Sequence, residues 1–231
     1  MADSPRQIVS FTFYKVAPAW RHCPAAERGE HRREFTETLA RWNVCGSMRA
    51  VCYSTVGMRA DCDLMLWRIC YSLEELQGMT SELLATRLGA HLQCTHLLLG
   101  MTRRSRYMIT HERHKQVDLR AIHAGEHKYL FLYPLVKSAQ WYMLDPDQRQ
   151  IIVNEQIKVL GEYPRLKMNV VYCYGMDDQD FILAFESDSP EELMDMALAM
   201  RETESHRYNQ KNWPHFTCVR TTPEEMLERL G

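Results

Sequence analysis

The chain of 231 residues lacks most of the features that mark a specialised class of protein. Ten glycines and nine prolines are too few for a linker or low-complexity chain. No apolar run approaches the ~20 residues a membrane helix needs, so no span is expected. The start, Met1-Ala-Asp-Ser-Pro-Arg-Gln7, has neither the apolar centre nor the cleavage site of a secretory signal, and a cytoplasmic address is expected. The eight cysteines form no CxxC pair and are expected to be reduced and packed as small hydrophobes. GxGxxG, P-loop and GxSxG are absent, which removes the usual support for nucleotide binding and α/β-hydrolase chemistry. Charge is nearly balanced, at 28 Lys+Arg against 30 Asp+Glu, and no RNP, KH or helix-turn-helix signature is present, so nucleic acid is not an expected partner.

What is present is the composition of an ordinary folded protein, 45% hydrophobic and 25% charged. Apolar periodicity predicts a strand over Ile8–Val16, a helix over Pro24–Trp42, paired strands over Arg49–Val56 and Asp63–Cys70, a helix over Ser72–Leu88 and a strand over His91–Leu99. That order, βαββαβ, is the ferredoxin-like unit, with two helices on one face of an antiparallel sheet. It then returns as strand Lys128–Leu135, helix Asp145–Leu160, hairpin strands Lys167–Tyr174 and Asp180–Ser187, a helix from Ser189 to about His206, and strand Phe216–Arg220.

The copies also match residue by residue. Asp63, Leu66, Ser72, Glu74, Glu75 and Leu76 recur as Asp180, Leu183, Ser189, Glu191, Glu192 and Leu193. An α+β chain of two tandem ferredoxin-like units is expected, spanning 1–102 and 128–231, joined by a linker over 103–127 and able to build a dimeric α+β barrel. Ser72 and Ser189 each stand three residues before a glutamate, Glu75 and Glu192, the spacing of a reciprocal capping box.

The segment Arg103–Lys128 holds seven Lys and Arg against three acids. It reads either as a solvated crossing or as a basic lip over an anionic, carboxylate-bearing ligand. Its histidines pair as His111 with His114 and His123 with His127, spacings that give no HExxH and lie off any committed helix, so a metal site is not expected there.

The most unusual stretch is Lys128-Tyr-Leu-Phe-Leu-Tyr-Pro-Leu-Val-Lys-Ser-Ala-Gln-Trp-Tyr-Met-Leu144, where Tyr133, Lys137 and Trp141 interrupt an apolar strand and Pro134 is expected to kink it. Alternation puts Tyr129, Phe131, Tyr133 and Leu135 on one face, and on spacing alone Tyr133 reads as core.

Further motifs are Phe13-Tyr-Lys-Val-Ala-Pro-Ala-Trp20, Gly57-Met-Arg-Ala-Asp-Cys-Asp-Leu-Met-Leu-Trp67, Tyr174-Gly-Met-Asp-Asp-Gln-Asp-Phe181, Ala184-Phe-Glu186, Arg201-Glu-Thr-Glu204 and Phe216-Thr-Cys218. With Tyr133-Pro-Leu-Val-Lys137 and Trp141-Tyr142, they resemble the chlorite dismutase family over nearly the whole chain. The resemblance implies haem b or coproheme held in the C-terminal half, a homopentamer, and the peroxide-dependent activity of coproheme decarboxylases, which turn two propionates into vinyl groups.

By the same resemblance Tyr133 carries the radical, Lys137 holds or protonates a propionate, and Trp141 lies beside the haem. The basic linker around Arg120, and His206 near the place of a small hydroxyl residue, are further propionate partners. The family's iron-ligating histidine matches Gln156 in Asn154-Glu-Gln-Ile-Lys-Val-Leu-Gly-Glu-Tyr-Pro164, and no histidine lies between Asp145 and Pro164. An amide oxygen is a poorer donor to ferric iron than imidazole. The distal arginine of chlorite dismutases matches Met168, with Asn169 its nearest polar neighbour, so chlorite chemistry is not expected. Three readings follow: a haem oxidoreductase of the decarboxylase kind, a non-catalytic haem- or porphyrin-binding paralogue or partner subunit, or a barrel whose pocket takes another ligand.

Overall fold

The computed structural model describes residues 5–44, 48–105, 107 and 121–231. Its elements, in chain order, begin with β1 (Ile8–Val16), α1 (Pro18–Arg21), α2 (Ala25–Val44), β2 (Arg49–Ser54), β3 (Leu64–Cys70), α3 (Leu73–Ala85) and β4 (Leu92–Met101). There follow β5 (Tyr129–Lys137), α4 (Ala139–Met143), α5 (Pro146–Gly161), β6 (Lys167–Tyr172), β7 (Phe181–Ser187), α6 (Pro190–Arg201), β8 (Asn209–Lys211), β9 (Phe216–Arg220) and α7 (Pro223–Glu228). They group into two compact units, Met1–Met101 with Thr217–Gly231, and Thr102–Phe216.

In the first unit β1 pairs with β3 and β4, and β2 pairs with β3 and β9, all antiparallel. Tyr53 and Ser54 face Arg220 and Val219. That pairing draws the last strand and α7 to the first unit, where the repeat alone assigns them to the second half. One face of the sheet meets the helices through Val16, Leu64 and Leu66 against Phe35, Leu39, Met79, Leu83 and Leu227, all at most 1% exposed. Each such side chain contributes about 1.5–3 kcal/mol when fully buried, so this layer is the main stabiliser of the unit. The opposite face carries Phe11, Trp67 and Tyr53, with centroids 5.1 Å apart for Phe11–Trp67 and 6.4 Å for Tyr53–Trp67.

In the second unit β7 lies between β6 and β5, and β8 adds to β5. Both hairpins turn in the same way. Thr55 and Cys173 carbonyls accept from Met58 and Met176 N–H at 2.9 and 2.8 Å, around Gly57 and Gly175 at φ +78 and +71. These are type II turns, in which only glycine takes the left-handed position without steric cost.

Three local expectations change. Pro134 does not kink β5, since it pairs with Ile182 in unbroken register and the irregularity falls between Val136 and Lys137 on the β8 side. The capping boxes are one-sided: Ser72 Oγ accepts from Glu75 N–H and Ser189 Oγ from Glu192 N–H, both at 3.3 Å. The carboxylates that return are those of Glu74 and Glu191, to the serine hydroxyls at 2.6 and 3.0 Å. The helix expected to reach His206 stops at Arg201, and Glu204–Tyr208 forms a 3-10 turn instead.

Candidate functional site

Asp180 fastens the end of β5. Its N–H donates to Leu135 O at 3.0 Å and its Oδ2 accepts from Lys137 N–H at 2.7 Å, which fixes where β5 ends. Strand alternation then sends Tyr129, Phe131 and Tyr133 to the helix-facing side, where they join Phe185, Leu193 and Met196. From β6, Met168 reaches the same layer; Asn169, on the opposite face, is buried and donates to Glu186 Oε1 at 3.0 Å.

The layer is not closed. Its buried members are Phe131, Phe185, Leu193 and Met196, while Tyr129, Tyr133, Leu160, Met168, Leu183 and Met200 remain partly exposed. The corresponding layer of the first unit has a much larger buried set, with Leu92, Leu99 and Met101 partly exposed along its β4 border. Gln156 belongs to this face: with Ile152 and Leu160 it forms an i, i+4, i+8 stripe on α5, and Leu160 packs on the layer. Among the described residues its half-buried amide has no hydrogen-bond partner.

Tyr133 lies on the wall of this space. Its ring stacks on His215 with centroids 4.1 Å apart and meets Phe185 edge-on at 5.5 Å. Burial pushes the phenol above its usual range, against the opposing pull of the Arg201 guanidinium. Burial also pulls His215 below the usual imidazole value, an Asn212 backbone contact works against this, and Arg201 adds to it, so the ring is neutral at pH 7. Arg201 thus acts on both rings of the stack.

Lys137 is placed differently from what its spacing suggests. The side chain is buried, and its Nζ donates to Ser205 O at 3.1 Å, Ser205 Oγ at 2.8 Å and Asn209 Oδ1 at 2.7 Å. The ammonium also lies 4.6 Å from the centroid of the Trp141 ring, which is buried and packs 5.6 Å from Tyr208. All three ammonium hydrogens are committed within the chain. Burial lowers its pKa to about 8, with the charge of Asp180 opposing. Ser205, a small hydroxyl residue next in sequence to His206, is bound to the Lys137 ammonium, while His206 places Nδ1 3.3 Å from Asn209 Nδ2.

Arg120 lies outside the described residues, as do His111 and His114. His127 turns its Nδ1 to Asp188 Oδ2 at 3.1 Å. Among the described residues no three His, Cys, Asp or Glu side chains gather as a metal site. No helix among them is long and apolar enough to cross a membrane. Sequence reasoning missed the roles of Ser205, Asn209 and His215 because each reaches the site from a turn or a short segment without periodicity.

The chlorite dismutase family model matches residues 28–221. The chain belongs to the chlorite dismutase family. A coproheme decarboxylase from Mycolicibacterium smegmatis is 26% identical over 235 residues, covering 99% of this chain and 96% of the relative. A chlorite dismutase from Ideonella dechloratans is 26% identical over 226 residues, covering 95% and 77%. Among solved structures, a variant of the chlorite dismutase from Candidatus Nitrospira defluvii superposes with a TM-score of 0.88 at 25% identity, covering 97% of this chain and 95% of that one. A haem-binding protein from Thermus thermophilus gives 0.86 at 17% identity, with 97% and 95% covered. The α+β fold is that of the chlorite dismutases.

Proposed function

We propose that the chain is a haem-binding oxidoreductase that holds haem b or coproheme between the sheet and helices of its second unit, with Tyr133 as the side chain that exchanges a hydrogen atom there. The observation that carries this reading is the unclosed layer walled by Tyr133, Met168, Leu160 and Met200. The residues fit a porphyrin in two respects. Apolar side chains on sheet and helix suit the faces of a flat ring, and Arg201 beside Tyr133 suits a carboxylate at its edge. At the position of the family's iron ligand they do not fit, because Gln156 offers an amide in place of an imidazole.

When bound, the porphyrin iron would supply oxidising equivalents drawn from hydrogen peroxide. The chain's own part is to orient and to hold protons. Burial keeps the Tyr133 phenol protonated, so Oη has a hydrogen to give. Stacking on neutral His215 fixes the ring without adding a charge. Lys137 is a positioning residue, since its hydrogens hold Ser205 and Asn209 in place and its charge lies over Trp141.

The finer reading is coproheme decarboxylation. Each propionate would lose CO₂, a β-carbon proton and two electrons, and the electrons would reduce one peroxide to two waters. The relatives, the retained Tyr133 and the resemblance to homopentameric enzymes support it. A second reading, a porphyrin carrier or partner subunit, is favoured by Gln156 and by the committed ammonium of Lys137.

Titration of the purified protein with ferric haem and with coproheme, followed by peroxide and mass analysis of the porphyrin, tests both. Saturable binding with loss of two carboxyl groups supports the decarboxylase. Binding without conversion supports the carrier, and no binding removes haem from the account.

A further inference from the structure

The internal repeat shows what the first unit holds where the second has its candidate site. Asp63 Oδ2 accepts from Val16 N–H at 2.9 Å as Asp180 Oδ2 accepts from Lys137 N–H. Counting back, Thr12 stands in the place of Tyr133 and Ser10 in that of Phe131. The strand pairings agree, because Ser10 faces Arg68 as Phe131 faces Phe185, and Thr12 faces Leu66 as Tyr133 faces Leu183. The aromatic wall of one unit is therefore replaced in the other by two hydroxyls and a guanidinium.

Arg68 is 1% exposed. Its Nη1 donates to Thr80 Oγ1 on α3 at 2.6 Å, and its Nη2 donates to Thr12 Oγ1 at 2.6 Å and lies 3.5 Å from Ser10 Oγ. The Nε–H has no partner. These contacts satisfy hydrogen bonds but bring no charge. Among the described residues no carboxylate pairs with the guanidinium, and burial pushes the neighbouring Tyr14 phenol up, so it stays protonated. A guanidinium stays charged at every physiological pH, and an unpaired buried charge is costly.

The layer around it is incompletely covered along β4. Directly paired residues of an antiparallel sheet project to the same face. Tyr14 is paired with Cys94 and Thr12 with Leu97. Cys94 and Leu97 are both exposed, Leu97 at 48%, so β4 borders the Arg68 layer with side chains the helices leave uncovered. Between them Thr95 is the extra residue of a β-bulge, and its buried hydroxyl has no partner.

We propose that this layer of the first unit is a binding site for a small monocarboxylate with an apolar tail, whose carboxylate meets Arg68 and whose tail lies along Leu97. One fixed positive charge among hydroxyls matches a monoanion, whereas a dianionic phosphate would leave a charge uncompensated. The site is independent of the haem reading, since every residue in it belongs to the other unit.

The test uses the full chain with sodium hexanoate as probe and hexanamide as its uncharged control, at constant ionic strength. Two readouts are followed: the melting temperature, and the alkylation rate of Cys94 by iodoacetamide, resolved by peptide mass analysis. Hexanoate is expected to slow Cys94 alkylation several-fold, saturably, and to raise the melting temperature, while hexanamide does neither. Arg68→Met should lose both responses and, without ligand, be at least as stable as the parent. Equal effects of hexanoate and hexanamide, no effect of either, or an undiminished response in Arg68→Met would overturn the proposal. If Arg68→Met fails to fold, the comparison of hexanoate with hexanamide on the parent chain decides.

Discussion

The phenol of Tyr133 and the imidazole of His215 stack face to face, with centroids 4.1 Å apart. The Tyr133 phenol is thus held by a ring that burial keeps neutral. Tyr133→Phe keeps the stack and removes the transferable hydrogen, so porphyrin binding should persist while peroxide-dependent conversion is lost. Equal turnover in the variant would remove Tyr133 from the chemistry. His215→Ala should cost about 0.5–1.5 kcal/mol of stability from the lost ring contact, measured by denaturant unfolding.

Gln156→His should raise affinity for ferric haem, because the residue already faces the layer from the Ile152–Leu160 stripe. A gain of at least about tenfold, or about 1.4 kcal/mol, is expected in a Soret titration, together with the spectrum of an imidazole-ligated iron. An unchanged spectrum would mean that the imidazole does not reach the metal.

Lys137 makes stability depend on pH. Its folded pKa of about 8 lies below the ordinary lysine value of 10.5, so between these values the unfolded chain binds the proton that the folded chain has released. Stability therefore rises with pH across this window, and below it folding must bury the charged amine. Lys137→Met should abolish this part of the pH slope. The difference between the two proteins in urea midpoints from pH 7.5 to 10.5 isolates the effect from other titrating groups.

Ser205→Ala deprives the buried ammonium of an acceptor at 2.8 Å. A loss of about 1.5–3 kcal/mol is expected from removing one partner of a charged hydrogen bond. Ser205→Thr, which restores the hydroxyl, should recover part of it, and a result within error of the parent for both variants would show that Asn209 and the Ser205 carbonyl suffice.

The repeated βαββαβ order was legible because long apolar strands and amphipathic helices carry their period over many residues. Strand β1, Ile8–Val16, and strand β9, Phe216–Arg220, have the bounds the alternation predicts. Residues 18–21, 139–143 and 209–211 were not legible, since segments this short complete too few turns or alternations to show a period. At the site, the facing direction of Tyr133 followed from alternation with Phe131. The bonds from Lys137 to Ser205 and Asn209 did not follow, because they join positions about 70 residues apart through a 3-10 turn that no local pattern announces.

Asp63 and Asp180 each fasten a strand end within their own copy of the repeat. Neither copy borrows this fastening from the other, so substitutions on the helix-facing side of one copy leave the strand alignment of both intact. Mutational drift is thereby confined to compartments. A duplicated ancestor with this arrangement could let one copy acquire Ser10, Thr12 and Arg68 while the other kept Phe131, Tyr133 and Phe185, giving one interior with a polar centre and one with an aromatic wall on one inherited frame.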